Sequence, residues 1–182
     1  MNAWRYAIPA AGTALWCFPF LLARGRLQVS LTRDRRARWG VALEGLGYTL
    51  LWQGSFWLRS PARWQIALAA VLFAIACALS WTAAQSLGRH LRVDAALEDE
   101  HRLIRTGPYR FMRHPIYTSM LAVLLGTGIP IAPWSLLVPA LALFLLGTAI
   151  RVRVEEALLE SRFGDEFRRY RQSVAALIPF VA

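Results

Sequence analysis

Lysine is absent from the 182 residues, so the 21 basic side chains other than histidine are all arginine. An all-arginine set fits a GC-rich bacterial coding sequence. Acids are scarce: 11 Asp and Glu leave a formal net charge of +10. A charge of that size raises nucleic acid as a partner, but no nucleic-acid motif accompanies it. The arginines stand beside apolar blocks, which points to membrane topology and anionic lipid instead. Cysteine is nearly missing. Cys17 and Cys77 are too far apart for a metal or redox motif and read as small buried apolar residues. His90, His101 and His114 show no short ligand spacing, so no metal is expected. A cleavable leader is not expected either. The first apolar block starts almost at Met1, without a basic flank or a small-residue cleavage site before the arginines of 24–38, and reads as a retained span. No repeat or low-complexity linker interrupts the chain.

What is present is apolar residues in blocks. They make up 57% of the chain, against roughly 45–50% in soluble domains. Five blocks approach the ~20 residues that cross a bilayer: residues 4–23, 39–58, 64–85, 115–129 and 134–150. The fold class expected is therefore all-α, a polytopic membrane bundle of about five helices with a C-terminal amphipathic helix. The last element follows from Leu158, Leu159, Phe163, Phe167 and Tyr170 at helical spacing, with Gly164 as a break. One integral-membrane domain over 1–182 is expected, with a three-span region (1–86) and a site-bearing core (87–182). Arginines crowd the loops at 24–38 and 89–113 and follow residue 150, whereas the loop 128–133 has no charge. Counting positive charge puts the N-terminus outside and the C-terminus in the cytoplasm. Trp4, Trp57, Trp64 and Trp134 at outer ends, and Trp39 at an inner end, fit interfacial belts. Glu44 is the one acid within the first three spans. It reads either as an interfacial acid paired with an arginine such as Arg38 or as the wall of a polar cavity. Gly45, Gly47 and Gly54 beside it would allow close helix approach.

Two polar clusters carry the chemistry. Gly107-Pro108-Tyr109-Arg110-Phe111-Met112-Arg113-His114-Pro115-Ile116-Tyr117 opens the fourth block, and Arg151-Val152-Arg153-Val154-Glu155-Glu156 follows the fifth. His114 and Glu155 stand 41 positions apart, enough for two helices at about 1.5 Å per residue to cross the membrane and return. Pro130 and Pro133 stand where the reversal is needed. Arg113, His114 and Tyr117 should thus meet Glu155 and Glu156 on one face. The free amides at the start of the fourth helix, with Arg113 and His114, suit an anion. The glutamates suit a cation, and Tyr109, Phe111 and Tyr117 offer flat surfaces. A ligand with an anionic group, a cationic group and a flat ring would use all three.

These residues resemble a known group. Gly107-x-Tyr109, then Arg113-His114-Pro115-x-Tyr117, an apolar hairpin, Glu155-Glu156-x-x-Leu159, Phe163-Gly164-x-Glu166-Phe167-x-x-Tyr170 and Ile178-Pro179 resemble the isoprenylcysteine carboxyl methyltransferase and phospholipid N-methyltransferase superfamily. The likeness covers about 87–179. It implies an integral-membrane methyltransferase that uses S-adenosylmethionine (AdoMet) at the cytoplasmic side, and the all-arginine composition makes the membrane expected a bacterial inner membrane. It places the cofactor among His101, Gly107, Tyr109, Arg113, His114, Pro115, Tyr117, Glu155 and Glu156. Arg113 would face the cofactor carboxylate or an anionic acceptor, and His101, Glu155 or Glu156 would serve as base for an amine. Arg113, Glu156 and His101 are the catalytic candidates. The partner implied is a lipid or small hydrophobic acceptor bearing a carboxylate, amine or thiol. Ser119 stands where this superfamily often has Gly, which narrows the approach of helix to cofactor. Two other readings are a membrane NADPH-dependent reductase of the sterol reductase type, which shares an Arg-His-Pro-x-Tyr segment, and a non-catalytic membrane scaffold. Neither the acceptor nor the oligomeric state follows from the sequence.

Overall fold

The computed structural model describes residues 7–22, 35–53, 60–88 and 103–178. Six α-helices run in order: α1 (Ala7–Leu22), α2 (Arg35–Leu50), α3 (Arg63–Leu87), α4 (Pro115–Ile131), α5 (Trp134–Phe163) and α6 (Asp165–Ser173). A short 3-10 helix, Gly107–Arg110, precedes α4. Among the described residues there is no strand, only one isolated parallel bridge between Met112 and Ala175. The expected all-α class is met.

By length and composition α3 and α5, with 25 and 30 residues, are long and apolar enough to cross a membrane. α1 and α4 are apolar but shorter, at 16 and 17 residues. The second block differs from expectation. Its helix starts at Arg35 and ends at Leu50, where Leu51, Trp52 and Gln53 donate to carbonyls three residues back and tighten the chain into a turn. The fifth block also differs. Its helix does not stop at Ile150 but continues through Arg151 to Phe163. Residues 151–163 are mostly good helix formers, and Gly164, at φ +52°, supplies the left-handed stop, its N–H closing on the Glu160 carbonyl at 2.9 Å.

Helices pair in a way the loops do not announce. α5 packs along α2, and α4 along α3. Their contact with each other is far smaller, although they are consecutive. The α2–α5 seam is lined by small residues at seven-residue spacing. A methyl group on Gly47 would stand 2.7 Å from the Ala140 carbonyl oxygen, and one on Gly147 would stand 2.6 Å from that of Gly40. Backbone therefore meets backbone, the arrangement that favours helix association where lipid tails remove the hydrophobic drive. Gly45 points elsewhere, with nothing within 4 Å of its methyl position. Gly54 lies outside the described residues. Glu44, on the same face as Gly40 and Gly47, pairs with Arg151 of α5 and not with Arg38.

The distribution of polarity is that of a lipid-embedded bundle. Leu15, Leu22, Val41, Leu46, Val71, Val138 and Leu146 face outward, while Glu44, Ser80, Ser119, Thr127 and Thr148 are buried. So wide an apolar exterior would drive association in water. Trp39, Trp64 and Trp134 project from helix ends at 71%, 58% and 67% exposure, as interfacial rings do. Trp4 and Trp57 lie outside the described residues. Cys17 and Cys77 are unpaired and half-buried. One apolar core, around Leu51, Leu124, Ile131, Leu137, Ala140 and Phe144, closes the end of the bundle at the α4–α5 turn. That leaves the opposite end, where His114 and Glu155 emerge, to polar groups.

The glycine seam makes a direct prediction. Gly147→Ala lowers stability by about 1–3 kcal/mol, because the new methyl must force two backbones apart. Gly45→Ala is neutral or up to ~1 kcal/mol stabilising, through helix propensity alone. Unfolding midpoints in detergent compare the two, and equal effects would contradict the seam.

Candidate functional site

α4 begins with Pro115, whose missing N–H suits a first helical position and whose fixed φ starts the turn. His114 is the residue before it and is 7% exposed. The return helix α5 brings Glu155 and Glu156 to the same level. His114 Nε2 lies 3.2 Å from Glu156 Oε1, and its Nδ1 lies 3.5 Å from Glu155 Oε2. Both ring nitrogens thus face carboxylates, the arrangement of an imidazolium between two acids. Burial opposes the charge on His114, but the hydrogen bonds and Coulombic attraction of Glu155 and Glu156 outweigh it, and the pKa stands above the ordinary histidine value.

The remaining partners extend this pair in both directions. Arg113 Nε donates to Glu156 Oε1 at 2.8 Å, with both side chains about nine-tenths buried. Arg171 of α6 adds a more exposed contact to Glu156 at 3.4 Å. On the other side the Tyr117 hydroxyl donates to Glu155 Oε1, and the Arg151 guanidinium lies 4.8 Å from the centroid of the Tyr117 ring. Tyr117 is 5% exposed and its ring centroid is 5.8 Å from that of His114. Two sets of ion pairs, Glu44–Arg151 and Glu155–His114–Glu156–Arg113, are thus joined into one network through Tyr117.

The expected meeting of Arg113, His114 and Tyr117 with Glu155 and Glu156 is therefore what the structure has, and other expected residues fall around it. Tyr109 is buried in the 3-10 helix, its hydroxyl raised well above the ordinary tyrosine pKa by burial and then by the charge of Glu155. Its carbonyl accepts the Tyr170 hydroxyl at 2.6 Å. Burial pushes that Tyr170 hydroxyl up to about 12. Pro115 is fully buried. Gly107, at φ +60°, packs against Ser86 at the end of α3, and its role is to bring the segment close, since a side chain there meets the serine hydroxyl. Phe111 is more than half exposed. His101 lies outside the described residues. Ser119 is fully buried; it accepts from the Trp16 indole at 2.9 Å and donates to the Ile116 carbonyl at 2.6 Å, so its hydroxyl ties α1 to α4.

Two features escaped sequence reasoning. The first is the contacts of Arg151, which the sequence places in the second polar cluster and among the topology charges but not against Glu44 and the Tyr117 ring. Its spacing of four from Glu155 places the two on one helix face, which is the available signal. The second is a strap formed by residues 174–178. The N–H groups of Arg113 and His114 donate to Ala175 and Ala176 carbonyls at 2.8 and 2.9 Å, and Thr118 Oγ1 donates to the Leu177 carbonyl at 2.7 Å. The Arg113 guanidinium also donates to the Arg171 and Val174 carbonyls. The backbone amides of Arg113 and His114, the two residues before α4, are thus capped by the chain's own C-terminal segment.

The chain is similar in sequence to known proteins. A family model described as phospholipid methyltransferase matches residues 64–166, more than half of the chain. A probable protein-S-isoprenylcysteine O-methyltransferase of Oryza sativa subsp. indica is 36% identical over 101 residues, 55% of this chain and 51% of the relative. Protein-S-isoprenylcysteine O-methyltransferase A of Arabidopsis thaliana is 34% identical over 104 residues, 55% of this chain and 50% of the relative. Methanethiol S-methyltransferase 1 of Bradyrhizobium diazoefficiens is 32% identical over 72 residues, 40% of this chain and 24% of the relative. The chain spans about half the length of the plant relatives. With the matched segment running from α3 into α6, the chain belongs to the phospholipid methyltransferase family, in the membrane methyltransferase superfamily that includes the isoprenylcysteine carboxyl methyltransferases.

Proposed function

We propose that this protein is an integral-membrane methyltransferase that takes its methyl group from AdoMet and transfers it to a hydrophobic, lipid-like acceptor. The observation that carries the reading is His114 held between Glu155 and Glu156, with Arg113 and Tyr117 on either side, inside the segment matched by the family. The methyltransferase names of the relatives favour this over NADPH-dependent reduction or a scaffold.

The residues fit the cofactor by their chemistry. AdoMet carries a carboxylate, an ammonium, a sulfonium and an adenine. The cluster holds two acids, a guanidinium, an imidazolium and aromatic rings within a few ångströms. His114, Tyr117, Glu155 and Glu156 would hold it, with Tyr109 and His101 lining the pocket. When bound, AdoMet supplies a methyl group on a sulfonium, open to in-line displacement by a nucleophile. The protein's share is then positioning and exclusion of water, which account for most of the acceleration such a transfer needs. Glu155 and Glu156 oppose positive charge, and Arg113 and the C-terminal strap close the polar end of the bundle. The glutamates are already engaged by His114, Arg113, Tyr117 and Arg171. An acceptor ionised before it arrives, a carboxylate or thiolate, therefore asks least of the site. The relatives' names, O- and S-methyltransferases, point the same way.

The five apolar blocks form five membrane spans in this reading, within one domain over residues 1–182. Its N-terminus is outside and its C-terminus and cofactor site are on the cytoplasmic face of a bacterial inner membrane. The acceptor's tail stays in the bilayer and enters between helices.

Three measurements follow. By calorimetry in detergent, His114→Ala and Glu156→Ala each weaken AdoMet binding at least ~10-fold, about 1.4 kcal/mol; undiminished affinity in both would remove the site assignment. Incubation of the protein with methyl-labelled AdoMet and host lipid extract yields label in an organic-phase ester or thioether by mass spectrometry; label confined to water-soluble products would contradict the lipid acceptor. The third concerns pH. A histidine with a raised folded pKa contributes its full stability below its unfolded value of about 6.5, and that contribution is lost as pH rises through the folded value. Melting temperature should therefore fall as pH climbs above ~6.5, and His114→Gln should flatten that part of the profile. An unchanged slope in the variant would contradict the imidazolium assignment.

A further inference from the structure

Glu44 is an acid where an acid is costly to bury. It lies in α2, is 3% exposed, and belongs to the half of the chain that the family match, residues 64–166, does not reach. Both of its oxygens are met by α5: Oε1 accepts from the Thr148 hydroxyl at 3.0 Å and Oε2 from Arg151 Nη1 at 2.7 Å. The glycine seam fixes the stems of this pair. A methyl group on Gly40 would stand 2.5 Å from Arg151 Cγ, and one on Gly147 would stand 3.0 Å from Glu44 Cγ. Each glycine is therefore the space through which the opposite charged side chain passes.

A plain structural staple between α2 and α5 would account for the pair alone. Two observations carry further. The seam already holds through backbone packing at Gly40, Gly47 and Gly147, and a buried ion pair adds little net stability over apolar residues of the same shape. The pair also does not end at the seam. The guanidinium held at its edge by Glu44 lies over the ring of Tyr117, whose hydroxyl donates to Glu155, and Glu155 faces His114. A planar cation fixed at its edge by a carboxylate and laid over a ring has little freedom left. We infer that Glu44, with Thr148, is a positioning residue: it sets the plane of Arg151, and through Arg151 the Tyr117 ring and the Glu155 carboxylate. The N-terminal half of the chain thereby orients a site whose own residues all lie in the C-terminal half. The binding consequence rests on the AdoMet reading above; the positional coupling does not.

The test is a double-mutant cycle in the full-length protein in detergent, with Glu44→Gln, Tyr117→Phe and both together, read by melting temperature and AdoMet calorimetry. Thr148→Val, which keeps the ion pair and removes one hydrogen bond, serves if Glu44→Gln does not fold. Glu44→Gln raises the AdoMet Kd about tenfold and Thr148→Val about threefold, and the Glu44→Gln effect is largely absent once Tyr117 is Phe. A staple alone would lower the melting temperature equally in both backgrounds and leave the Kd of the folded protein unchanged, which overturns the inference. If the wild type binds no AdoMet, the donor reading fails by itself. Non-additive melting losses in the cycle then still support the positioning role, and additive losses overturn it.

Discussion

The arrangement depends on one imidazole between two carboxylates. His114 stands at the start of α4, Glu155 and Glu156 lie on α5, and no neighbouring turn of either helix brings them together. Two adjacent acids near the edge of an apolar bundle would repel one another and resist burial. The histidine, Arg113 and Arg171 on one side and the Tyr117 hydroxyl on the other offset that cost with hydrogen bonds and opposite charge. The same contacts hold α4 to α5, two helices whose contact is otherwise small. The C-terminal strap completes the arrangement by accepting the amides of Arg113 and His114. In the proposed function a charged ligand would take the place of some of these internal partners.

The bundle that carries this site is held by different means in its two halves. Apolar side chains fill the end around Phe144 and Leu51, whereas glycines at 40, 47 and 147 let α2 and α5 touch through their backbones. Close approach there has a price in specificity of sequence: few residues fit, and those that pass between the helices, Glu44 and Arg151, must be paired. The packing of the membrane interior and the electrostatics of the site are thus one structure, joined at Arg151.

Much of this was legible beforehand, for reasons that can be stated. The apolar blocks marked the helices because lipid imposes length and composition together. The spacing from His114 to Glu155 marked the cluster because two spans of fixed rise must return to one face. Gly164 marked a helix break because its left-handed φ is open to glycine and to few others, but not that the helix it ends is the fifth span continued from Trp134. What was not legible depends on partners distant in sequence. Nothing local shows that Gly45 faces away while Gly40 and Gly147 touch, since the choice among glycines depends on how α2 is rotated against α5. Pairing Glu44 with Arg38 followed proximity in the chain, but the bundle offered Arg151 instead. The strap at 174–178 has no periodicity of its own, and its hydrogen bonds are to backbone, which sequence does not mark.

The most direct test of the central claim is a structure of the protein in a lipid nanodisc with a non-reactive AdoMet analogue. The ligand should lie between the starts of α4 and the lower turns of α5, within hydrogen-bond reach of Glu155 or Glu156 and beside the Tyr117 ring. An analogue bound elsewhere, with His114 and the two glutamates in separate surroundings, would contradict it.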